Sequence, residues 1–248
     1  FAPSRNTGFM LQNAPLEQRM TWAFGAFRAT DDTTGNGFSD DGTYNLTGRV
    51  TGLPWYENDG THLLHLGVSV TQKSLDQTSA RIRQRPEVRL GNPYFVDTGS
   101  IEADGAQVVN PELALVYGPF SFQAEYAHTF LQANDTSDPD FYGLYAQASW
   151  FLTGESRPYK TSEGIFDRVA PERNFDLKGG LGAWELALRY SRLDLDDADI
   201  EGGQLDDGTV GLNWYLNPNV KTSFNYVAAK LNGVGRTNQF VTRFQIDF

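Results

Sequence analysis

The segment Gln239-Phe-Val-Thr-Arg-Phe-Gln-Ile-Asp-Phe248 alternates between a largely apolar and a largely polar set of side chains. The even positions are Phe240, Thr242, Phe244, Ile246 and Phe248, and the odd positions are Gln239, Val241, Arg243, Gln245 and Asp247. Successive side chains of an extended strand point to opposite faces of its sheet. The segment is therefore predicted to be a β-strand with one face toward apolar surroundings and the other toward polar ones.

The same period of two recurs along nearly the whole chain. Its apolar members are, segment by segment, Trp22/Phe24/Ala26, Tyr44/Leu46/Val50, Leu64/Leu66/Val68/Val70, Leu113/Leu115/Tyr117, Phe120/Phe122/Tyr126, Tyr142/Leu144/Ala146/Trp150, Trp184/Leu186/Leu188/Tyr190, Val210/Leu212/Trp214/Leu216 and Phe224/Tyr226. The residues between them are mostly small or polar, and no helical period of 3.6 persists. We predict one all-β domain over residues 1–248.

The kind of apolar residue favours a membrane barrel over a soluble protein. No stretch approaches the roughly 18 apolar residues of a transmembrane helix, but alternation dilutes the mean hydropathy of barrel strands. The chain has 17 Phe, 11 Tyr and 5 Trp, with Trp and Tyr near strand ends, as in the aromatic girdles of membrane interfaces. We predict a transmembrane antiparallel β-barrel. The alternatives are a soluble β-sandwich, whose core would be more aliphatic, and a soluble ligand-binding barrel.

The connections between strands alternate in length. Gly118-Pro119 and Asn217-Pro218-Asn219 are short, whereas Asp31–Gly42, Gln132–Asp140 and Asp194–Gly208 are longer and mostly acidic or rich in glycine. Outer-membrane barrels have short periplasmic turns and longer extracellular loops. We therefore place the two turns in the periplasm and the acidic loops outside the cell.

The strand count depends on one region of uncertain assignment. Because neighbouring strands of the barrel must run in opposite directions, Arg81–Tyr117 has to supply three wall strands, with Tyr94–Ile101 as the short middle one. The same requirement places the long connection Thr153–Leu177 on the periplasmic side. This gives about 12–13 strands, whereas bacterial barrels have an even number. We expect the chain to be the C-terminal portion of a barrel of about 16 strands that lacks about three N-terminal strands.

One segment carries arginine at alternate positions and reads Arg81-Ile-Arg83-Gln-Arg85-Pro-Glu87-Val-Arg89. In an extended chain Arg81, Arg83, Arg85 and Arg89 share one face with Glu87, and Ile82, Gln84, Pro86, Val88 and Leu90 share the other. Arginine on the lipid face of a barrel costs about 2–4 kcal/mol at the midplane. The four arginines are therefore expected to face an aqueous lumen.

Such a ladder of guanidinium groups suits the passage of oxyanions. The planar guanidinium binds phosphate oxygens in a bidentate manner, and several adjacent sites of moderate strength also allow the ion to leave. The alternative is a solvated basic strand without a transport role, and Gln84 and Pro86 favour a position at the rim or in an inward-folded loop.

The remaining chemistry excludes several classes of function. The net charge of −11 argues against duplex nucleic acid as a partner, and much of the acidity lies in the proposed outer loops. The chain has no cysteine. His62 and His65 are expected on opposite faces of one strand, as surface or rim residues, and His128 near a strand end. We expect no enzyme, no cofactor and no metal site.

Several blocks of the sequence resemble the phosphate-selective porin O and P family over essentially the full length. They are Arg49-Val-Thr-Gly-Leu-Pro-Trp-Tyr56, Tyr117-Gly-Pro-Phe-Ser-Phe-Gln-Ala-Glu-Tyr126, Phe151-Leu-Thr-Gly-Glu-Ser-Arg157, Gly182-Ala-Trp-Glu-Leu-Ala-Leu-Arg-Tyr-Ser191 and Gly211-Leu-Asn-Trp-Tyr-Leu-Asn-Pro-Asn-Val220. The resemblance implies a trimeric barrel of sixteen strands in the bacterial outer membrane. It also implies a ladder, matched here by Arg81, Arg83, Arg85 and Arg89, and a C-terminal signal ending in Phe248 for the barrel-assembly machinery.

The predicted function is a passive diffusion channel for phosphate or related small anions. Trp22, Trp150, Trp184 and Trp214 are expected to contact outer-membrane lipid or a neighbouring subunit. Two alternatives stay open, namely a general porin without phosphate selectivity and a receptor or adhesin barrel with little conductance.

Overall fold

The computed structural model describes residues 6–28, 44–75, 79–88, 91–134 and 137–247. Its eleven long strands are β1 (Thr7–Asn13), β2 (Met20–Arg28), β3 (Tyr44–Glu57), β4 (His62–Ser74), β8 (Ile101–Tyr117), β9 (Phe120–Ala133), β10 (Asp140–Phe151), β13 (Ala183–Asp197), β14 (Ile200–Asn217), β15 (Val220–Leu231) and β16 (Gly235–Ile246). The short strands are β5 (Ser79–Ala80), β6 (Arg83–Gln84), β7 (Val96–Asp97), β11 (Tyr159–Lys160) and β12 (Ile165–Phe166). The predicted all-β class is confirmed.

The long strands form one up-and-down antiparallel sheet. Their order is β1-β2-β3-β4-β8-β9-β10-β13-β14-β15-β16, and β5 pairs with β8 as the twelfth strand of the sheet. A 3₁₀ turn at Asn58–Gly60 joins β3 to β4. Within the described ranges, no helix is long and apolar enough to cross a membrane.

The two faces of the sheet differ as the alternation predicts. On β13, Leu186 and Leu188 are 46% and 60% exposed, whereas Glu185 on the opposite face is 1% exposed. The same alternation holds on β16, where Phe240 and Phe244 are 70% and 62% exposed. One face is therefore bare and apolar, and the other is polar and covered by two segments of the chain.

Aromatic residues form two rows on the bare face. Trp22, Trp150, Trp184 and Trp214 lie near the end of the sheet that carries the short turns, and Trp184 stacks on Trp214 with ring centroids 5.0 Å apart. Toward the other end lie Tyr126, Tyr142, Tyr190 and Tyr226. On β10 and β13 the rows are six to eight residues apart, roughly 20–26 Å at about 3.3 Å per residue. With strands tilted by about 40°, this corresponds to about 15–20 Å across the membrane, which fits within the apolar band of a barrel, about 25 Å tall.

A charge placed between these rows is expected to be costly. Leu188 lies between Trp184 and Tyr190, so Leu188→Arg in the full-length protein should lower its stability in lipid bilayers by about 2–4 kcal/mol. Urea-induced unfolding in lipid vesicles measures the effect. The matched control is Asn225→Arg, which faces a cavity on the polar side and should cost less than about 1 kcal/mol. Equal losses in the two variants would contradict the assignment of the faces.

The region Arg81–Tyr117 does not supply three wall strands. β4 pairs directly with β8, from His62↔Tyr117 to Ser74↔Gly105, and the predicted strand Tyr94–Ile101 is reduced to the two-residue β7. Alternating side chains indicate only that one face is packed and the other is not. Alternation does not show whether a segment pairs with the neighbouring wall strand. Here the chain between β4 and β8 folds onto the polar face of the sheet instead.

The connections agree with the prediction only in part. Thr153–Leu177 is long and lies at the end with the short turns, where the amide of Phe175 bonds the carbonyl of Leu216 at 2.7 Å. The prediction that Asp194–Gly208 is a loop is wrong, because β13 continues to Asp197 and β14 begins at Ile200. β9 continues to Ala133 and β10 begins at Asp140, so both ends of the expected loop Gln132–Asp140 belong to strands. The expected loop Asp31–Gly42 lies outside the described residues.

Candidate functional site

The segment between β4 and β8 folds across the polar face of the sheet. We call residues 79–100, as far as they are described, the arginine segment. It contains a small ladder of its own, in which Arg83 pairs with Asp97 and Gln84 with Val96. The side of the segment that faces the sheet is apolar: Pro86 is fully buried, and Ile82 packs with Val96 against Leu195 and Leu205 of the wall.

The opposite side of the segment carries the arginines. Arg81 and Arg83 are exposed and Arg85 is half-buried, whereas Ile82, Gln84 and Pro86 are half-buried or buried. Exposure therefore alternates over residues 81–84, and the role of these arginines as an anion path stays a prediction. Arg89 lies outside the described residues.

Glu87 departs from the expected arrangement, because its side chain turns to the wall. Its carboxylate accepts hydrogen bonds from Arg189 Nε at 2.6 Å, from Ser191 Oγ at 2.9 Å and from the hydroxyl of Thr209. Its backbone N–H donates to Asp207 Oδ2 at 2.9 Å. The extended geometry ends after Pro86, and these wall donors on β13 and β14 orient the carboxylate away from the arginines.

A pair of amide side chains forms the second anchor of the segment. Asn92 Nδ2 donates to Gln239 Oε1 at 2.8 Å, and Gln239 Nε2 donates to Asn92 Oδ1 at 2.7 Å. Asn92 Nδ2 also lies 2.7 Å from the carbonyl of Val88. Glu87 and Asn92 thus fix the segment to three strands, β13, β14 and β16.

Arg81 is already paired with a carboxylate. Its Nε and Nη2 donate to the two oxygens of Asp97 at 2.8 and 2.5 Å, a bidentate pair. The hydrogen bonds from Arg81 hold the pKa of Asp97 at about 2, against the opposing effect of its desolvation. Since this lies below the ordinary carboxyl value of about 3.9, the pair persists throughout the neutral range and is lost only as the pH falls toward 2.

Arg83 and Arg85 have an aromatic partner instead. Their Cζ atoms lie 4.2 and 3.9 Å from the ring centroid of Tyr94, and Arg85 Nε donates to the carbonyl of Asn92 at 2.8 Å. Among the described residues, no carboxylate lies within 4.0 Å of either guanidinium. Asp97 attracts the charge of Arg83 at longer range, but no described carboxylate forms an ion pair with either guanidinium, so both can still bind a mobile anion.

A second segment, Leu152–Gly182, covers the polar face at the end with the short turns. Its hairpin β11–β12 is bound by Arg49 of β3, which donates to the carbonyls of Glu163 and Gly164 at 3.3 and 2.9 Å. Gly164 has φ +66°, and a Cβ there would lie 2.8 Å from Thr51 Oγ1. The close approach of this turn to the wall thus requires glycine.

Three carboxylates on the polar face are each neutralised by an arginine. Arg49 binds Glu112 at 2.8 Å, Arg189 binds Glu87 at 2.6 Å, and Arg157 of the second segment binds the buried Glu185. Glu185 also accepts from Asn213 Nδ2 at 3.0 Å and from the Tyr215 hydroxyl at 2.7 Å. The net charge of −11 therefore does not set the charge along this face, where Arg83 and Arg85 are left without a carboxylate partner.

Comparison with known proteins identifies the family. The family model described as "Phosphate-selective porin O and P" matches residues 1–248. The chain belongs to the phosphate-selective porin O and P family. This is a family of bacterial outer-membrane porins, and the antiparallel sheet of this chain fits part of the wall of such a barrel, with the polar face on the side of the lumen.

Two curated proteins are similar in sequence to this chain. Porin O of Pseudomonas aeruginosa is 33% identical over 226 residues, which cover 77% of this chain and 50% of that protein. An uncharacterized protein of Caulobacter vibrioides is 31% identical over 227 residues, which cover 86% of this chain and 44% of that protein. The chain spans about half the length of the curated relatives it matches.

Sequence reasoning missed the lumen arginines of the porin outside the ladder. Arg49 and Arg189 occupy polar positions of alternating strands, a signal present in the sequence. Arg157 lies in a connection, and no local pattern indicates that it returns to bind Glu185. The partners Tyr94 and Asp97 were not singled out either, since their contacts depend on how the arginine segment folds back on itself.

The histidines of the porin are only partly as expected. His62 and His65 do lie on opposite faces, and His62 contacts Tyr117 with ring centroids 4.6 Å apart. His65, however, is no surface or rim residue. It is 4% exposed in the lumen, and its Nδ1 lies 2.5 Å from the Tyr159 hydroxyl because the second segment covers it. His128, near the end of β9, lies 2.8 Å from Asp140.

Removing the partner of Arg81 should strengthen anion binding in the porin. The substitution Asp97→Asn cancels one negative charge and leaves a third guanidinium uncompensated in the same segment. We expect the phosphate concentration that half-blocks chloride current to fall about 3- to 10-fold, since one interaction of roughly 1 kcal/mol shifts affinity about fivefold. Planar-bilayer recordings measure it, and Asp138→Asn, on an exposed connection, is the control. A weaker phosphate block in Asp97→Asn would contradict the prediction.

Proposed function

We propose that the full-length protein is a passive diffusion channel for phosphate or related small anions. The observation that carries this proposal is the pair Arg83 and Arg85, whose guanidinium groups face the lumen without a carboxylate partner among the described residues. Arginine binds oxyanions through a planar fork of donors that matches phosphate oxygens. Family membership and the likeness to Porin O support the same function.

We further propose that Arg81, Arg83, Arg85 and Arg89 form a ladder of transient anion sites. Glu87 and Asn92 hold the segment inside the lumen. An ion that crosses the membrane through the lumen therefore passes the exposed side of the segment. Arg81 contributes less than Arg83 and Arg85, because Asp97 already neutralises it. Several weak sites in series allow both entry and exit, as conduction requires.

The proposal involves no catalysis and no cofactor. It includes a homotrimeric assembly, contact with outer-membrane lipid, and recognition of the C-terminal Phe248 by the barrel-assembly machinery, all three on the strength of the family resemblance. The exposed tryptophan row on the bare face supports the contact with lipid or with a neighbouring subunit.

The reversal potential of the full-length protein tests the proposal. In a planar bilayer under a potassium chloride gradient, the potential should report a current carried mainly by anions, and added phosphate should block it. A cation-selective or non-selective current would favour a general porin. Insertion without measurable conductance would favour a receptor or adhesin barrel, and either result would overturn the phosphate channel.

A further inference from the structure

Tyr94 lies between the two arginines that lack a carboxylate. Its ring centroid is 4.2 Å from Arg83 Cζ and 3.9 Å from Arg85 Cζ. Side chains cannot approach a ring plane closer than about 3.5 Å. Two guanidiniums on the same face of the ring would therefore lie within about 4 Å of each other, too close for two planar groups of like charge. Placement on opposite faces of the ring relieves this repulsion.

The ring then sets the distance between the two positive charges. The two contacts limit the separation of the Cζ atoms to at most about 8 Å. Without the ring, like charges two residues apart would repel each other and separate. The negative faces of the ring attract both cations, so Tyr94 holds them at a fixed spacing.

With one guanidinium on each face, the edge of the Tyr94 ring is the part left open. The residue is 36% exposed. The edge of an aromatic ring is the positive part of its quadrupole, which is compatible with an anion. A tetrahedral oxyanion at this edge has donors from both guanidiniums, and a bidentate N–H···O pair spans about 2.7–2.9 Å per bond.

The position of this unit in the lumen is also fixed. Arg85 Nε donates to the carbonyl of Asn92 at 2.8 Å, and Asn92 exchanges two amide hydrogen bonds with Gln239 of β16. No described residue accepts a hydrogen bond from the other donors of the Arg85 guanidinium, which can therefore bind a ligand. The spacing of the two guanidiniums is thus set by Tyr94, and their place over the wall by Asn92.

We propose that Arg83, Tyr94 and Arg85 form one composite site for a tetrahedral oxyanion, in which Tyr94 is a positioning residue that sets selectivity for such oxyanions over halide. The inference rests on the proposed channel function and goes beyond it. A spherical halide accepts donors from any direction and gains little from a fixed spacing. A phosphate-sized ion with four oxygens gains affinity when two forks are held at matching positions.

The test compares Tyr94→Leu with Tyr94→Phe in the full-length protein. Tyr94→Leu removes both ring faces and keeps both charges, so the concentration of inorganic phosphate that half-blocks chloride current should rise about tenfold. The reversal potential in a potassium chloride gradient should stay within a few millivolts of the wild type. Tyr94→Phe keeps both ring faces, so its half-blocking concentration of phosphate should stay within about threefold of the wild-type value.

A remote substitution of the same kind controls for general damage. Arg19 Cζ lies 4.9 Å from the ring of Tyr56, at the end of the wall with the short turns. Tyr56→Leu removes that contact and should leave the phosphate block within about twofold of the wild type. The heat-induced gel shift of each variant shows whether its barrel has folded.

The outcomes separate the two proposals. A wild-type channel without anion selectivity or phosphate block overturns the channel function, and this inference with it. A wild-type block that Tyr94→Leu leaves unchanged overturns only the role of Tyr94. Equal weakening in Tyr94→Phe and Tyr94→Leu also overturns the role as a spacer, because the hydroxyl would then be the group that matters.

Discussion

Replacing Arg83 and Arg85 together by Ala in the full-length porin is expected to raise the half-blocking concentration of phosphate by at least about 100-fold. Each arginine contributes hydrogen bonds to a charged ligand worth about 1.5–3 kcal/mol, and about 1.4 kcal/mol corresponds to a tenfold change in affinity. The reversal potential should move toward that of a non-selective channel. Planar-bilayer recordings at fixed ionic strength measure both quantities.

The matched control removes a neighbouring arginine without changing the net charge. The double substitution Arg81→Ala with Asp97→Ala deletes the bidentate pair and leaves both uncompensated guanidiniums in place. Its phosphate block should stay within about threefold of the wild type. If both double variants weakened the block equally, the distinction between neutralised and available arginines would be wrong.

Replacing Glu87 by Ala should release the arginine segment from the wall and widen the channel. The substitution deletes the acceptor for Arg189, Ser191 and Thr209 and leaves Arg189 without its carboxylate. The lost hydrogen bonds to a charged group are worth about 1.5–3 kcal/mol, which shifts the docked segment toward the undocked state by about 10- to 100-fold. Single-channel conductance should rise, and its open-state noise should increase.

A graded variant separates docking from simple charge loss. Glu87→Gln keeps one acceptor oxygen and the length of the side chain, so its conductance should lie between those of the wild type and Glu87→Ala. Glu163→Ala supplies the same loss of one negative charge in the second segment, where Glu163 pairs with the exposed Lys160, and should leave conductance unchanged. An unchanged conductance in Glu87→Ala would show that other contacts are sufficient to dock the segment.

The wall of the barrel was predictable because period-two alternation has a simple physical cause. A strand between lipid and water must place apolar and polar side chains in turn, and β16 shows the result directly. Phe240 is 70% exposed on the bare face, whereas Gln239 bonds Asn92 in the lumen. Both the orientation of the side chains of β16 and its neighbouring strand can be predicted without information about contacts that are distant in sequence.

The arginine segment failed as a wall prediction for the same physical reason. Arg81, Ile82 and Arg83 alternate whether their polar side faces the lumen from the wall or from a segment inside it. The decision depends on distant contacts, such as the bonds of Glu87 to β13 and β14. The exposure of Arg81 and Arg83 follows from the alternation, whereas the partners Asp97 and Tyr94 were not predictable.

The acidic hairpin was misjudged because charge was taken as a sign of a loop. Asp194 and Asp206 instead lie on strands, where cross-strand partners accommodate them. Arg192 pairs opposite Asp206 in the sheet register, and the Tyr190 hydroxyl donates to Asp206 at 2.7 Å. Opposite charges on neighbouring strands support pairing beyond the apolar band, which a reading of single segments does not detect.

The anchoring of Asn92 to Gln239 has a consequence for the order of assembly. The two residues are 147 positions apart in sequence, and Glu87 is bound by strands that also follow it in the chain. Contacts of such long range form late, after the intervening chain has been organised. The wall must therefore be built through its final strand before the arginines have a surface on which to settle. During assembly the barrel therefore first has a wide lumen without selectivity, and the arginine segment that would narrow it docks last.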